Sequence, residues 1–192
     1  MPQVTIALIV ANALVFLVEM SGGDAFIDRF ALWPLGPAFA PWQIVTYAFL
    51  HGNPTHLFFN MLGLYMFGAP LERFWGARRQ LIYYLVSVLS AAIVQIVSAF
   101  LSGSPYPTVG ASGGVFGLLL AFALFFPRTR VMLLFPPIPM PAWLFATLYG
   151  ALELVLGVTG SESGVAHFAH LGGMLGGYLL IRQWRARKGY SE

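Results

Sequence analysis

Cysteine is absent from the 192 residues, and charged side chains make up only 9% of them. The absence of cysteine excludes disulfides, thiolate catalysis and metal sites built on cysteine. The scarcity of charge excludes an ordinary soluble domain, in which about a quarter of the residues are charged. Because 58% of the residues are hydrophobic, the sequence indicates one integral membrane domain over 1–192, surrounded by lipid.

The hydrophobic residues form six stretches that predict membrane-spanning helices. These lie near 3–19, 46–68, 80–101, 112–126, 142–159 and 164–182. No basic region precedes the first stretch, so we expect it to remain as a helix rather than to be removed as a signal peptide. The long connection 20–45 is expected to lie at the membrane surface, and residues 135–141, with four prolines, to form a turn. The predicted fold class is an all-α bundle of six transmembrane helices.

The basic residues predict how this bundle is oriented. Nine of the ten fall in three groups: Arg73, Arg78 and Arg79; Arg128 and Arg130; Arg182, Arg185, Arg187 and Lys188. The three groups share one side of a six-span chain, and the positive-inside rule makes that side cytoplasmic. Both termini are then cytoplasmic, and the loops 20–45, 102–111 and 160–163 face outward. The net charge of +3 is thus explained by topology rather than by nucleic-acid binding.

Four polar side chains are predicted to share one depth in the membrane. The fourth span is too short to cross the bilayer, so Ser112 at its outer end should lie below the surface in a hydrated pocket. Helical rise places Ser112 and His170 about 21 and 18 Å from the cytoplasmic side, and His56 and Asn60 about 22 and 16 Å from it. A lone polar residue could be an interhelical hydrogen bond, but four at one level indicate a functional site.

These residue types suit nucleophilic catalysis. Histidine can take the proton of a serine hydroxyl at neutral pH, so Ser112 is the predicted nucleophile and His170 the predicted general base. The Ser112 N–H at the helix start, with the side chains of His56 and Asn60, could stabilise an oxyanion. We expect no carboxylate at this depth to orient the imidazole, and therefore a dyad rather than a triad.

Glycines at four-residue spacing predict close packing of the fourth and sixth spans. Gly113 and Gly117 lie on one, and Gly173 and Gly177 lie on the other. Small residues at this spacing let helix backbones approach closely in membranes. Such contact would bring Ser112 to His170.

Several motifs together resemble those of the rhomboid family. They are Gly110-Ala111-Ser112-Gly113, Ala169-His170-x-x-Gly173-x-x-x-Gly177, His51 followed by His56-x-x-x-Asn60, and Trp42-Gln43 where many members have Trp-Arg. The resemblance covers nearly the whole chain. It implies an intramembrane serine protease with a Ser–His dyad and no cofactor, in the plasma membrane of a prokaryote. Its substrates would be single-span membrane proteins that enter past the fifth span and are cut in or near their transmembrane segments.

The resemblance also implies roles for residues around the dyad. Gly110, Gly113, Gly173 and Gly177 would pack the active site, and Phe116 would stack on His170 where some members place a tyrosine. Glu72 matches a position that ties the first loop, and Gln43 in place of arginine leaves no salt bridge there. The family spacing selects His170 rather than His167 as the base.

Some residues also allow functions other than serine proteolysis. His51, His56 and His167 invite a metal site or metal transporter, but the pattern His-Glu-x-x-His is missing and no acid is expected beside them, so no metal is predicted. A binder or chaperone on the same scaffold would have lost the nucleophile or the base, and this sequence has both. Glu153 could be neutral in the packed interior, face a hydrated groove or gate the substrate, and the structural role is favoured. No predicted span contains an aspartate, which excludes an aspartyl protease.

Overall fold

The computed structural model describes residues 1–132, 137–160 and 166–188. The eight α-helices in this part of the chain are α1 Gln3–Phe30, α2 Gln43–Thr46, α3 Pro54–Gly63, α4 Ala69–Trp75, α5 Ala77–Ser102, α6 Ser112–Phe125, α7 Ala142–Thr159 and α8 His167–Lys188. A 3₁₀ turn, Tyr47–Phe49, follows α2, and a π-helical segment, Leu64–Gly68, joins α3 to α4. The predominantly helical fold predicted from the sequence is confirmed.

One short sheet connects α6 to α7. Strand β1, Arg130–Met132, pairs antiparallel with β2, Pro139–Pro141, so residues 139–141 of the predicted proline-rich turn form a strand instead. Residues 133–136 of this connection lie outside the described residues, as do 161–163 of the predicted outward loop and 164–165 at the predicted start of the last span.

In the described part of the chain, three helices are long and apolar enough to cross a membrane, namely α1, α5 and α7. Only 28%, 28% and 17% of their most apolar windows is buried within the protein, in that order. Their outward-facing surface is therefore apolar, which suits contact with lipid rather than water. The 14-residue α6 is also apolar but shorter.

Two helix boundaries differ from those expected. Helix α1 continues to Phe30 through a break at Gly23, whose φ of 58° is a conformation that glycine adopts readily. The second long helix begins at Pro54 rather than near residue 46, because the Asn53 side chain caps its start by accepting a hydrogen bond from the His56 N–H at 2.8 Å. It then continues through the π-helical segment to the end of α4.

The loop after α1 is organised by a buried amide side chain. Gln43 accepts a hydrogen bond from the Ala40 N–H at 3.0 Å and donates to the carbonyl of Ala38 at 3.1 Å and of Arg29 at 3.3 Å. An amide both donates and accepts, so it satisfies several loop backbone groups without an ionic partner. Gln43 stands where an arginine was expected, and it anchors the loop by hydrogen bonds instead of a salt bridge.

Glu72 has a different partner from the one expected. Its carboxylate accepts hydrogen bonds from the Val4 N–H at 2.9 Å, the Thr5 N–H at 2.8 Å and the Thr5 hydroxyl at 2.7 Å. It therefore ties the start of α1 rather than the first loop. The physical reason is that the unpaired N–H groups of a helix N-terminus attract an anion.

Helices α5, α6 and α8 form the packed centre of the molecule. A β-carbon on Gly173 of α8 would overlap the carbonyl group of Gly113 on α6, so the two backbones touch there. A β-carbon on Gly117 would overlap Ser87 of α5 and lie 3.0 Å from the carbonyl oxygen of Gly173. Gly177 differs from the expectation, because its nearest neighbours are Tyr83 and Ser87 of α5 rather than α6.

Replacing Gly173 by alanine should destabilise the protein. The added methyl group must push α8 away from α6, and overpacking of this kind costs about 1–3 kcal/mol. Thermal unfolding in detergent should show a lowered midpoint for Gly173→Ala. Gly36→Ala is the matched control, because its nearest atom would lie 4.0 Å away in ordinary contact. Equal midpoints for the two variants would contradict this view of the α6–α8 contact.

Candidate active site

Ser112 is the first residue of α6 and follows a sharp backbone turn. Gly110 has a φ of 127°, which L side chains rarely adopt, and its N–H donates to the carbonyl of Tyr47 at 2.9 Å. Because α6 starts at Ser112, the Ser112 N–H belongs to the first turn, whose donors have no partner within the helix. The turn therefore presents a hydroxyl and backbone donors at the same place.

The Ser112 hydroxyl is hydrogen bonded to the imidazole of His170 on α8. Oγ lies 2.7 Å from Nε2, a distance typical of a well-formed bond. The ring of Phe116, one turn after Ser112, stacks on the imidazole with centroids 4.3 Å apart and an angle of 3°. The stack holds the plane of the ring while the hydrogen bond directs Nε2 towards the serine.

His56 and Asn60 lie on α3 beside this pair. A β-carbon at Gly110 would lie 2.8 Å from both Cε1 and Nε2 of His56, so the absence of a side chain there makes room for the imidazole. Asn60 Nδ2 donates to the carbonyl of His56 at 3.0 Å. An amide nitrogen carries two hydrogens, so one donor of Asn60 remains available.

A cavity of about 1140 Å³ joins these groups. Its lining includes Ser112, His170, His56 and Asn60, so all four predicted polar residues reach one space. Aromatic and aliphatic side chains extend it between the second long helix and α7; they are Phe59, Met66, Phe145 and Tyr149. This shape combines a polar centre with an apolar approach that an extended peptide could follow.

A carboxylate also reaches the imidazole of His170, contrary to the expectation from sequence. Oε2 of Glu153 on α7 lies 2.9 Å from His170 Nδ1 and 2.7 Å from His167 Nδ1. The contact with His167 is aligned as a hydrogen bond, whereas that with His170 has ion-pair distance without such alignment. The sequence holds a signal for this contact. Glu153 follows the start of α7 by eleven residues, or about 16 Å of helical rise, and this depth is near the predicted depth of His170.

The remaining histidines do not point into the dyad. His51 is fully buried, and its ring packs against that of His56 with centroids 5.1 Å apart. Its backbone N–H donates to the carboxylate of Glu19 at 2.9 Å. His167 is buried against Glu153 rather than open to the cavity, so it serves the carboxylate and does not replace His170 beside Ser112.

One group of potential metal ligands is present among the described residues. Ligand atoms of Glu153, His167 and His170 all lie within 4.8 Å of one another, so the expectation that no acid accompanies these histidines is wrong for His167. Two ligands bound to one tetrahedral zinc at about 2.0–2.1 Å would lie about 3.3 Å apart. The separations of 2.7 and 2.9 Å are both shorter than this, and the 2.7 Å contact of His167 fits a proton held between nitrogen and oxygen.

The sequence places this helical membrane protein in a known family. The family model described as Rhomboid domain matches residues 38–186, which include the dyad, both neighbouring α3 residues and Glu153. The chain belongs to the rhomboid family.

The proteins that this chain is similar to include bacterial and mitochondrial members of the family. Rhomboid protease GluP of Bacillus subtilis is 29% identical over 168 residues, covering 85% of this chain and 31% of that protein. Rhomboid protein 1, mitochondrial, of Saccharomyces cerevisiae is 30% identical over 176 residues, covering 90% and 51%. Rhomboid protease AarA of Providencia stuartii is 29% identical over 156 residues, covering 72% and 54%. The chain thus spans between 31% and 54% of the length of these relatives.

Proposed function

We propose that the chain is an intramembrane serine endopeptidase that cuts single-span membrane proteins in or near their transmembrane segments. The observation that carries the proposal is the 2.7 Å hydrogen bond between Ser112 Oγ and His170 Nε2, at the edge of a cavity in a rhomboid chain. Two of the relatives named above are rhomboid proteases by name, which supports the reaction class.

The reaction starts with the serine hydroxyl. Ser112 Oγ attacks the carbonyl carbon of the peptide bond while its proton passes to His170 Nε2. The tetrahedral intermediate collapses, His170 gives the proton to the leaving amine, and an acyl-serine remains. A water molecule that loses its proton to His170 attacks the ester, and return of the proton to Ser112 Oγ releases the acid product.

Three donors are proposed to stabilise the oxyanion. They are the Ser112 N–H, the His56 imidazole and the free amide hydrogen of Asn60. Their position beside the Ser112 hydroxyl supports this role, because donors aimed at developing charge in a site with little water act strongly. No metal or cofactor takes part in the proposed steps.

Substrates are proposed to enter between the second long helix and α7. The cavity extends between these elements, and α7 is the least buried of the three apolar membrane-spanning candidates. A transmembrane segment must leave its helical conformation to present a peptide carbonyl to Ser112. Glycine is about 0.8–1 kcal/mol less favourable in a helix than alanine, and serine is also less favourable, so we propose segments that contain these small residues as the substrate class.

Substitution of Ser112 or His170 tests the dyad. Ser112→Ala and His170→Ala should each abolish cleavage of a single-span substrate in liposomes, since one lacks the nucleophile and the other the base. Fragment formation is followed on gels, and thermal unfolding checks that both variants remain folded. Ser21→Ala, at an exposed serine on α1, is the matched control and should cleave at the wild-type rate.

Three results would contradict the dyad. Normal cleavage by Ser112→Ala would show that Ser112 is not the nucleophile. Activity lost to a chelator and restored by zinc would favour a metal enzyme, whereas the proposal predicts no effect of a chelator. Tight substrate binding without cleavage by the wild type would favour a chaperone.

Substitution of Asn60 or His56 tests the proposed stabilisation of the oxyanion. Asn60→Ala and His56→Ala should each lower kcat by about 10²-fold, the usual effect of losing one such donor. Because the donors act on the intermediate rather than on bound substrate, KM should change little. Steady-state kinetics on a soluble fluorogenic substrate in detergent separates the two constants. A raised KM with unchanged kcat would assign these residues to substrate binding instead.

The proposed topology has six spans with both termini in the cytoplasm of a prokaryotic cell. The spans are α1, the continuous run from α3 to α4, α5, α6, α7 and α8, and the basic groups at their ends support the orientation. The 14 residues of α6 rise about 21 Å, which places Ser112 below the outer surface.

The lack of cysteine allows a direct test of this topology. Pro37→Cys in the first loop should react with an impermeant maleimide on intact cells, and Arg187→Cys near the end of α8 should react only after permeabilisation. Both positions are exposed, so the side of the membrane on which each one lies decides whether it is labelled. The reverse pattern would place the termini outside.

A further inference from the structure

Glu153 is a buried carboxylate in the middle of an apolar helix. Its side chain is directed at α8, where one oxygen meets the Nδ1 atoms of His167 and His170. An acid at such a place in a membrane helix is costly unless it is paired, and it usually has a function. Neither the hydrolysis steps nor the oxyanion requires it, so its position beside the proposed base needs its own explanation.

The chemistry of the dyad depends on which imidazole nitrogen carries the hydrogen. His170 Nε2 must be free to accept the proton of Ser112, so in the neutral ring the hydrogen must be on Nδ1. Nδ1 is the atom that lies 2.9 Å from Glu153 Oε2. A carboxylate has only acceptors, so it favours Nδ1–H and disfavours the tautomer with a bare Nδ1.

The carboxylate is itself held in place. His167 Nδ1 lies 2.7 Å from the same oxygen in an aligned hydrogen bond. His167 and His170 are three residues apart on α8 and therefore share one face of the helix. The oxygen that His167 holds by this hydrogen bond is therefore the same oxygen that lies 2.9 Å from His170 Nδ1.

We propose that Glu153 is a positioning residue that keeps His170 in the Nδ1–H tautomer and stabilises the imidazolium formed during proton transfer, with His167 holding the carboxylate. When the Ser112 proton reaches Nε2, His170 gains a positive charge 2.9 Å from the carboxylate. The proton stays on the imidazole and is later given to the leaving amine. The inference rests on the proposed function, because it concerns the base of that reaction.

The test compares Glu153→Gln with the wild type. The neutral amide should lower kcat by about tenfold to a hundredfold with KM unchanged, less than the roughly 10⁴-fold loss known for serine proteases whose base loses its aligned aspartate. Stacking by Phe116 still holds the ring, which limits the loss. Glu153→Asp should recover part of kcat because it restores the charge.

The matched control is Glu72→Gln, at another buried, hydrogen-bonded glutamate whose partners lie on α1. It should lower the unfolding temperature but leave kcat per folded molecule unchanged. If Glu153→Gln behaves in the same way, Glu153 only joins α7 to α8 and the inference is overturned. If the wild type does not cleave, the proposed function itself fails. If the wild type cleaves and Glu153→Gln keeps the same kcat, only the inference about Glu153 fails.

A second measurement uses the wild type alone and decides the case even if Glu153→Gln does not fold. ¹⁵N-histidine spectra in lipid separate protonated from unprotonated ring nitrogens, and comparison with His170→Ala assigns the signal. The proposal predicts hydrogen on Nδ1 and none on Nε2 of neutral His170. Hydrogen on Nε2 would overturn it.

Discussion

The backbone contact between Gly113 and Gly173 is the constraint on which the site depends. Helices with larger side chains at the contact are held 8–10 Å apart, whereas glycines let them approach more closely. The Ser112 hydroxyl precedes one glycine by a single residue, and the His170 imidazole precedes the other by three. The close approach of α6 and α8 therefore also sets the distance between the proposed nucleophile and the proposed base.

Four polar side chains around the site contact one another rather than lipid. Ser112 meets His170, His170 meets Glu153, and His167 completes the chain of contacts from the other side of the carboxylate. A polar group left unpaired in hydrocarbon costs several kcal/mol, so each member stabilises the position of the next. The arrangement that makes the helices compatible with a membrane is thus the arrangement that suits proton transfer.

Much of this could be predicted from the sequence because helical rise is regular. Counting residues from the predicted cytoplasmic ends of the helices is enough to expect Ser112, His170, His56 and Asn60 in one layer, and glycine spacing predicts which helices touch. Glu153 is not among the partners predicted for His170 from the sequence, although the same count of helical rise places the two at similar depth. Rotation about the helix axis, which aims Glu153 at α8, depends on packing that no spacing rule supplies.

Other features depend on contacts between distant segments. The Asn53 cap moves the start of α3 to Pro54, although the hydrophobic pattern extends further upstream. Gln43 organises the first loop through backbone carbonyls and amides whose positions only the fold defines. Gly177, which has the spacing of an α6 contact, meets α5 because Tyr83 fills the space beside it.

The central claim is that the histidine activates a serine that is open to a cavity inside the membrane domain. The most direct measurement is reaction of the purified chain with a fluorophosphonate, followed by mass spectrometry of the labelled peptide. The account predicts labelling at Ser112, lost in His170→Ala although the hydroxyl is still present. No labelling of the folded wild type, or labelling at another serine, would contradict it.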